Sequence, residues 1–311
     1  MRTIDMHCDT ILKLMDDEDK GLYENDLNVD IKKLKKANSL AQFFAVWVDL
    51  KNGQDPMETC LKMIDRFYRE IEKNSSHISL ATSYEDIMKN DREGKISAIL
   101  TIEEGAAIKG DLSNLRNFYR LGVRAITLTW NHPNEIGYPN FHEEYRDKGL
   151  TEFGIELVHE MNRLGMIIDV SHLSDKGFYD VARESQKPFI ASHSNARAVK
   201  DHPRNLTDDM IRILSECGGV MGINFERDFL GDAENAKIED MIRHIKHIKN
   251  IGGIEVIALG SDYDGSHPGY EIEDIGQIEK LAHSLKESGF TEEEIDKIFY
   301  KNALRVIKDV L

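Results

Sequence analysis

Met166-Ile167-Ile168-Asp169-Val170-Ser171-His172 and Pro188-Phe189-Ile190-Ala191-Ser192-His193 are two short apolar runs, each closing on Ser-His. Between them, Asp175–Ser185 carries the spacing of an amphipathic helix. Runs this apolar suit strands covered on both faces. A strand, a helix and a second strand in that order make a parallel unit with a right-handed crossover.

The same alternation extends in both directions. Further strands are expected at Thr3–His7, Leu40–Val48, Ile96–Ile102, Arg124–Leu128, Val220–Asn224 and Val256–Leu259. Helices are expected at Met57–Glu72, where Met57, Leu61, Ile64 and Tyr68 share a face, and at Phe153–Leu164, with Thr151 as N-cap. Thr207–Cys217, Ile238–Ile248 and Thr291–Asn302 follow the same scheme. Eight strands in 311 residues predict an α/β fold of the TIM type, a (β/α)8 barrel, which needs about 250 residues. A doubly wound open sheet is the competing arrangement, but no G-x-G-x-x-G follows the first run.

With six prolines and no low-complexity tract, residues 1–311 read as one domain. The hydrophobic fraction of 41% supplies one sizeable core. The formal net charge of −16 excludes nucleic acid and anionic membranes as natural partners. No 18-residue apolar run and no secretory leader stands in the sequence. Cys8, Cys60 and Cys217 are too few and too scattered for a disulfide framework, so a cytoplasmic location is expected.

The chemistry lies where the strands end. In a barrel those ends converge on one face, where catalysis takes place. The first run ends Asp5-Met6-His7-Cys8-Asp9; residues two apart on a strand share a side, so His7 and Asp9 can grip one cation while Cys8 points away as a buried bystander. The third ends Thr101-Ile102-Glu103-Glu104-Gly105, where a carboxylate can bridge two ions. His172 and His193 close adjacent strands. The last run ends Gly260-Ser261-Asp262-Tyr263-Asp264-Gly265; Asp262 reaches the same mouth as a ligand or a base for bound water, and Asp264 with Gly265 reads as a turn. Taken singly, each is an ordinary strand end. Together, five ligands exceed one open tetrahedral site and suit two ions about 3.5–4 Å apart. Nitrogen and oxygen donors without thiolate favour two Zn2+, with Mn2+ or Co2+ as substitutes.

Read in order, Asp5-Met6-His7-Cys8-Asp9, Glu104-Gly105, Leu164 to His172, Ser192-His193-Ser194, Arg204-Asn205 and Gly260 to Gly265 make the chain resemble the membrane (renal) dipeptidase family of zinc metallopeptidases, in its bacterial cytosolic branch. The resemblance implies a binuclear zinc barrel that hydrolyses dipeptides, including those with a C-terminal D-residue. It implies that His7 and Asp9 hold one zinc, that His172 and His193 hold the other, and that Glu104 bridges them. It makes Arg204 the residue that binds the substrate carboxylate, which suits a bidentate guanidinium, and Asp262 the residue that orients the attacking water and manages its proton. The family often carries a histidine after the fourth strand's Leu-Thr; here Leu128-Thr129 is followed by Trp130-Asn131-His132. Either His132 takes that role through a shifted loop, or another donor does. The family often forms homodimers, and the expectation extends to this chain. Two other readings stay open. One is an amidohydrolase-like barrel acting on a cyclic amide, lactone or phosphoester, although such enzymes typically show H-x-H on the first strand. The other is a non-catalytic metal-binding barrel.

Overall fold

A computed structural model describes residues 1–267 and 269–311. Nine parallel strands make one sheet: β1 Thr3–Asp5, β2 Ser39–Trp47, β3 Ile78–Leu80, β4 Ile96–Glu103, β5 Val123–Thr127, β6 Ile167–Asp169, β7 Ile190–Ala191, β8 Val220–Ile223 and β9 Ile257–Leu259. Pairing runs from β2 through β1, β9, β8, β7, β6 and β5 to β4, and β4 pairs back on β2. Eight strands thereby close into a (β/α)8 barrel, so no edge of that ring is left unpaired. The open doubly wound sheet is excluded by that closure.

β3 lies outside the ring, paired only with the N-terminal half of β4. Sequence patterning overlooks it because Ile-Ser-Leu is too short to show a period. Most of the expected helices form, Thr151 is the N-cap expected of it, and Thr207, expected as a helix residue, is an N-cap instead. Thr151 accepts from Gly154 N and Thr207 from Met210 N, each satisfying an otherwise free first-turn donor. The expected helix Thr291–Asn302 is different: Glu292–Asp296 passes through a π-turn at Lys297–Lys301 into a helix at Asn302–Val310.

That last helix plugs the barrel at the end away from the strand C-termini. Ala303, Val306, Ile307 and Val310 pack in one buried cluster with the inward-facing Phe43, Ile99, Ile167 and Val220. Two glycines set the lumen's width near the mouth. A Cβ on Gly222 would lie 2.0 Å from the Ser192 carbonyl oxygen, and one on Gly260 would lie 1.7 Å from it. Only glycine lets β7, β8 and β9 approach this closely. Among the described residues no helix is long and apolar enough to cross a membrane.

Candidate metal centre

Alternation along β4 puts Ile99, Thr101 and Glu103 on the lumen side. Glu103 is buried at the strand's last position and divides its carboxylate between two groups of side chains. Oε2 lies 3.2 Å from His7 Nε2, while Oε1 lies 3.1 Å from His172 Nε2 and 3.5 Å from His193 Nε2. On the His7 side, Asp9 Oδ2 is 3.3 Å and Asp262 Oδ1 3.9 Å from the same imidazole nitrogen. The rings of His7 and His193 are 3.9 Å apart between centroids. His7, Glu103 and His193 form one set of donors within 4.8 Å of one another, and His7, Asp9 and Asp262 form a second.

Hydrogen bonds behind the imidazoles fix their tautomers. His172 Nδ1 faces Asn131 Oδ1 at 3.1 Å, and an amide oxygen only accepts, so the ring's proton sits on Nδ1. His193 Nδ1 faces Ser192 Oγ at 2.8 Å. That hydroxyl donates its own proton to Asp169 Oδ2, so it accepts from His193. Asp169 also accepts from Thr127 Oγ1, Ser171 N and Ser192 N, which locks the base of the relay across β5, β6 and β7. Both Nε2 atoms therefore present lone pairs to the cluster. They face each other at 3.0 Å.

The residues fit a cationic guest. Three carboxylates and two imidazole lone pairs converge in a buried space, while His7 Nε2 and Asp9 Oδ1 are buried without a hydrogen-bond partner. Such groups repel or stay unsatisfied unless positive charge lies between them. The donors are nitrogen and oxygen; Cys8 turns into the apolar shell, with its thiol on the Phe43 carbonyl. The titration behaviour agrees. Burial opposes charge on His7, but Glu103 and Asp9 outweigh it and hold its pKa well above the imidazole range. Burial, with the positive Arg204 nearby, lowers that of His172 to about 4. Burial raises Asp262 to about 7, aided by Asp9 and opposed by His7.

Asp262 and His172 have left-handed backbones, with φ of 62° and 72°, which non-glycine residues adopt at a cost of about 1–3 kcal/mol. The turns aim both side chains back over the barrel. Asp262 Oδ2 is held by Asn224 Nδ2 at 3.0 Å. Arg204 is buried beside the cluster; Nη1 reaches the Ser171 carbonyl at 3.4 Å, Nη2 the His193 carbonyl at 3.2 Å, and Nε has no partner. Burial lowers its pKa to about 10, which leaves the guanidinium charged. A cavity of about 620 Å³ opens over Glu103, His172 and Asp262.

The structure thus brings His7, Asp9, His172, His193, Asp262 and Arg204 to one mouth. It does not bring Glu104 or His132. Glu104 stands one residue beyond the inward-facing position, at φ 99°, and its carboxylate accepts from Ala106 N, Trp130 N and Asn134 Nδ2. It ties two loops together, and the position between the two donor groups belongs to Glu103. The period of β4 carried that signal. His132 turns outward to Asp49, 3.5 Å away, because the chain turns at Trp130 and it is Trp130 that lines the cavity. Asp5 lies below the cluster, bonded to Gln42 and Ser261. Asp264 is a loop clip for Thr10 and Asn28.

A family model described as membrane dipeptidase (peptidase family M19) matches residues 1–311. A protein of Klebsiella pneumoniae encoded in the pqqA 5′ region is 36% identical over 82% of this chain and 97% of its own. The crystal structure of the metallopeptidase dipeptidase AC superposes with a TM-score of 0.92 at 27% identity, covering 100% of this chain and 98% of that one. A Rhodobacter sphaeroides metallopeptidase, solved with a phosphinate mimic of the dipeptide L-Ala-D-Ala, superposes at 0.91 with 26% identity over 100% and 99% of the two chains.

Proposed function

The chain belongs to the membrane dipeptidase family, whose chemistry is metal-dependent hydrolysis of dipeptides; on that premise we propose that it works with two divalent ions, zinc before manganese or cobalt, and accepts dipeptides with either an L- or a D-residue at the C-terminus. His7 and Asp9 would hold one ion, His172 and His193 the other, and Glu103 both. The observation that carries the reading is the division of the Glu103 carboxylate, one oxygen toward His7 and the other toward His172 and His193. When bound, such ions supply Lewis acidity, lowering the pKa of water to about 7 and polarising a carbonyl.

The side chains supply the rest. Arg204 is buried with an unsatisfied Nε and two long bonds to carbonyls, so a carboxylate gives it better partners than it has. That anchor would fix the substrate's C-terminal end close to the cluster, which would confine hydrolysis to dipeptides. Asp262 presents Oδ1 toward the cluster while Asn224 restrains Oδ2. From there it takes the proton of the attacking water and delivers it to the leaving amine, acting first as base and then as acid.

A library of dipeptides with both stereochemistries at the second residue, assayed on zinc-loaded protein alongside tripeptides, lactones and phosphoesters, tests this. Hydrolysis confined to dipeptides, with about two zinc ions per chain, is expected. Zinc binding without turnover of any dipeptide, or faster lactone than dipeptide hydrolysis, overturns it.

A further inference from the structure

The cavity lining differs across the barrel, with Phe229 on one side and Trp47 and Trp130 on the other. Arg204 follows β7, and its guanidinium carbon lies 5.4 Å from the ring of Phe229, which follows β8. Across the barrel, Trp47 ends β2 in register with Glu103 on β4. Paired residues on neighbouring parallel strands direct their side chains to the same face, so the indole enters the mouth beside the Glu103 carboxylate. Trp130 follows β5. Its backbone N–H is fastened to Glu104 Oε2 at 3.0 Å. Its ring meets that of Trp47 edge to face at 4.8 Å and stands 6.2 Å from the ring of His172. Both indoles are half-buried and line the cavity. In ring order, β2, β4 and β5 face β7, β8 and β9 across the lumen.

We propose that Trp47 and Trp130 form the pocket for the substrate's N-terminal side chain and select dipeptides that begin with an aromatic or large apolar residue. This rests on the reading that Arg204 takes the C-terminal carboxylate: with that end anchored and the scissile carbonyl over Glu103 and His172, the N-terminal residue extends toward the indoles. Leu12 and Phe141 add apolar surface elsewhere in the cavity lining. An edge-to-face indole pair is a rigid apolar surface that favours another ring. A polar or small side chain there would leave the indoles wetted or unfilled.

The test is kcat/KM for an X-Ala series with X as Gly, Ala, Ser, Leu, Phe and Trp, run beside an Ala-X series. The wild type is expected to favour Phe-Ala over Ala-Ala by at least about tenfold, the lower range for added apolar contact in a pocket. W47A and W130A should each reduce that ratio several-fold without altering the ranking of the Ala-X series, and W130F should restore most of it. The ratio is internal to each variant, so a general loss of activity cancels, and W47A carries the test if W130A does not fold. A flat X-Ala profile in an active wild type, or an unchanged ratio in both alanine variants, overturns the pocket assignment while leaving dipeptide hydrolysis standing. No turnover of any X-Ala peptide strikes instead at the proposed function.

Discussion

His172 Nε2 and His193 Nε2 face each other at 3.0 Å, each with its ring proton held on the far nitrogen by Asn131 or Ser192. Two lone pairs at that distance repel, and a cation relieves them. Metal removal is therefore expected to lower thermal stability and metal return to restore it. For an ion present at 100 times its dissociation constant the stabilisation is about 2.7 kcal/mol per site. Scanning calorimetry with and without chelator measures it; identical melting curves would refute the account of the paired imidazoles.

Glu103 and Glu104 are neighbours with different partners, and substitution separates them. E103Q loses the group shared by both donor sets, so bound metal should fall below two per chain and turnover by at least about a hundredfold, as for a lost charge-stabilising group. E104Q keeps the ions but exchanges an acceptor of three N–H bonds for a side chain with a donor of its own, costing about 1–3 kcal/mol of stability. Metal analysis and denaturant melts on both variants decide it. Metal loss in E104Q with full metal in E103Q would reverse the assignment.

Gly265 packs against the cluster from outside. A Cβ there would lie 2.0 Å from Asp9 Oδ2 and 3.1 Å from Asp262 Oδ1. G265A should push Asp9 off its position and weaken the metal site on the His7 side, by about ten- to a hundredfold if it acts as outer-shell changes do. Chelator competition reads the affinity and circular dichroism the fold. Wild-type affinity in a folded variant would show that Asp9 has slack the packing does not suggest.

His244 is buried and neutral, accepting from Ala196 N at Nδ1 and donating to the Leu230 carbonyl from Nε2. Burial lowers its pKa to about 4. An unfolded histidine titrates near 6.5, so between these values the unfolded chain binds a proton that the folded chain does not. Stability is full above about pH 6.5 and is lost as pH falls toward 4, by at most about 3 kcal/mol from this group. Denaturant melts of the wild type and H244Q across pH 4–7 should converge at the acid end. A constant difference would rule out this linkage.

The barrel was legible because its strands are apolar on both faces and alternate with capped helices; all eight ring strands fall on the expected runs. What escaped was local. β3 has three residues and no period. β1 ends at Asp5, so His7 and Asp9 reach the cluster beyond the regular strand. Glu103 is readable from the alternation Ile99, Thr101, Glu103, whereas the motif Glu104-Gly105 points one residue too far. The left-handed backbones at His172 and Asp262, and the Asp169–Ser192 relay that sets the His193 tautomer, depend on contacts between strands that no local pattern encodes.

At the seam of the ring, β1 pairs with β9, and Asp5 accepts from Ser261 N and Oγ across a separation of 256 residues. A nascent chain that has emerged only as far as β8 holds His7, Glu103, His172 and His193 but cannot draw the first strand into a ring. The ring cannot close, and Asp262 cannot join His7 and Asp9, until β9 has paired with β1.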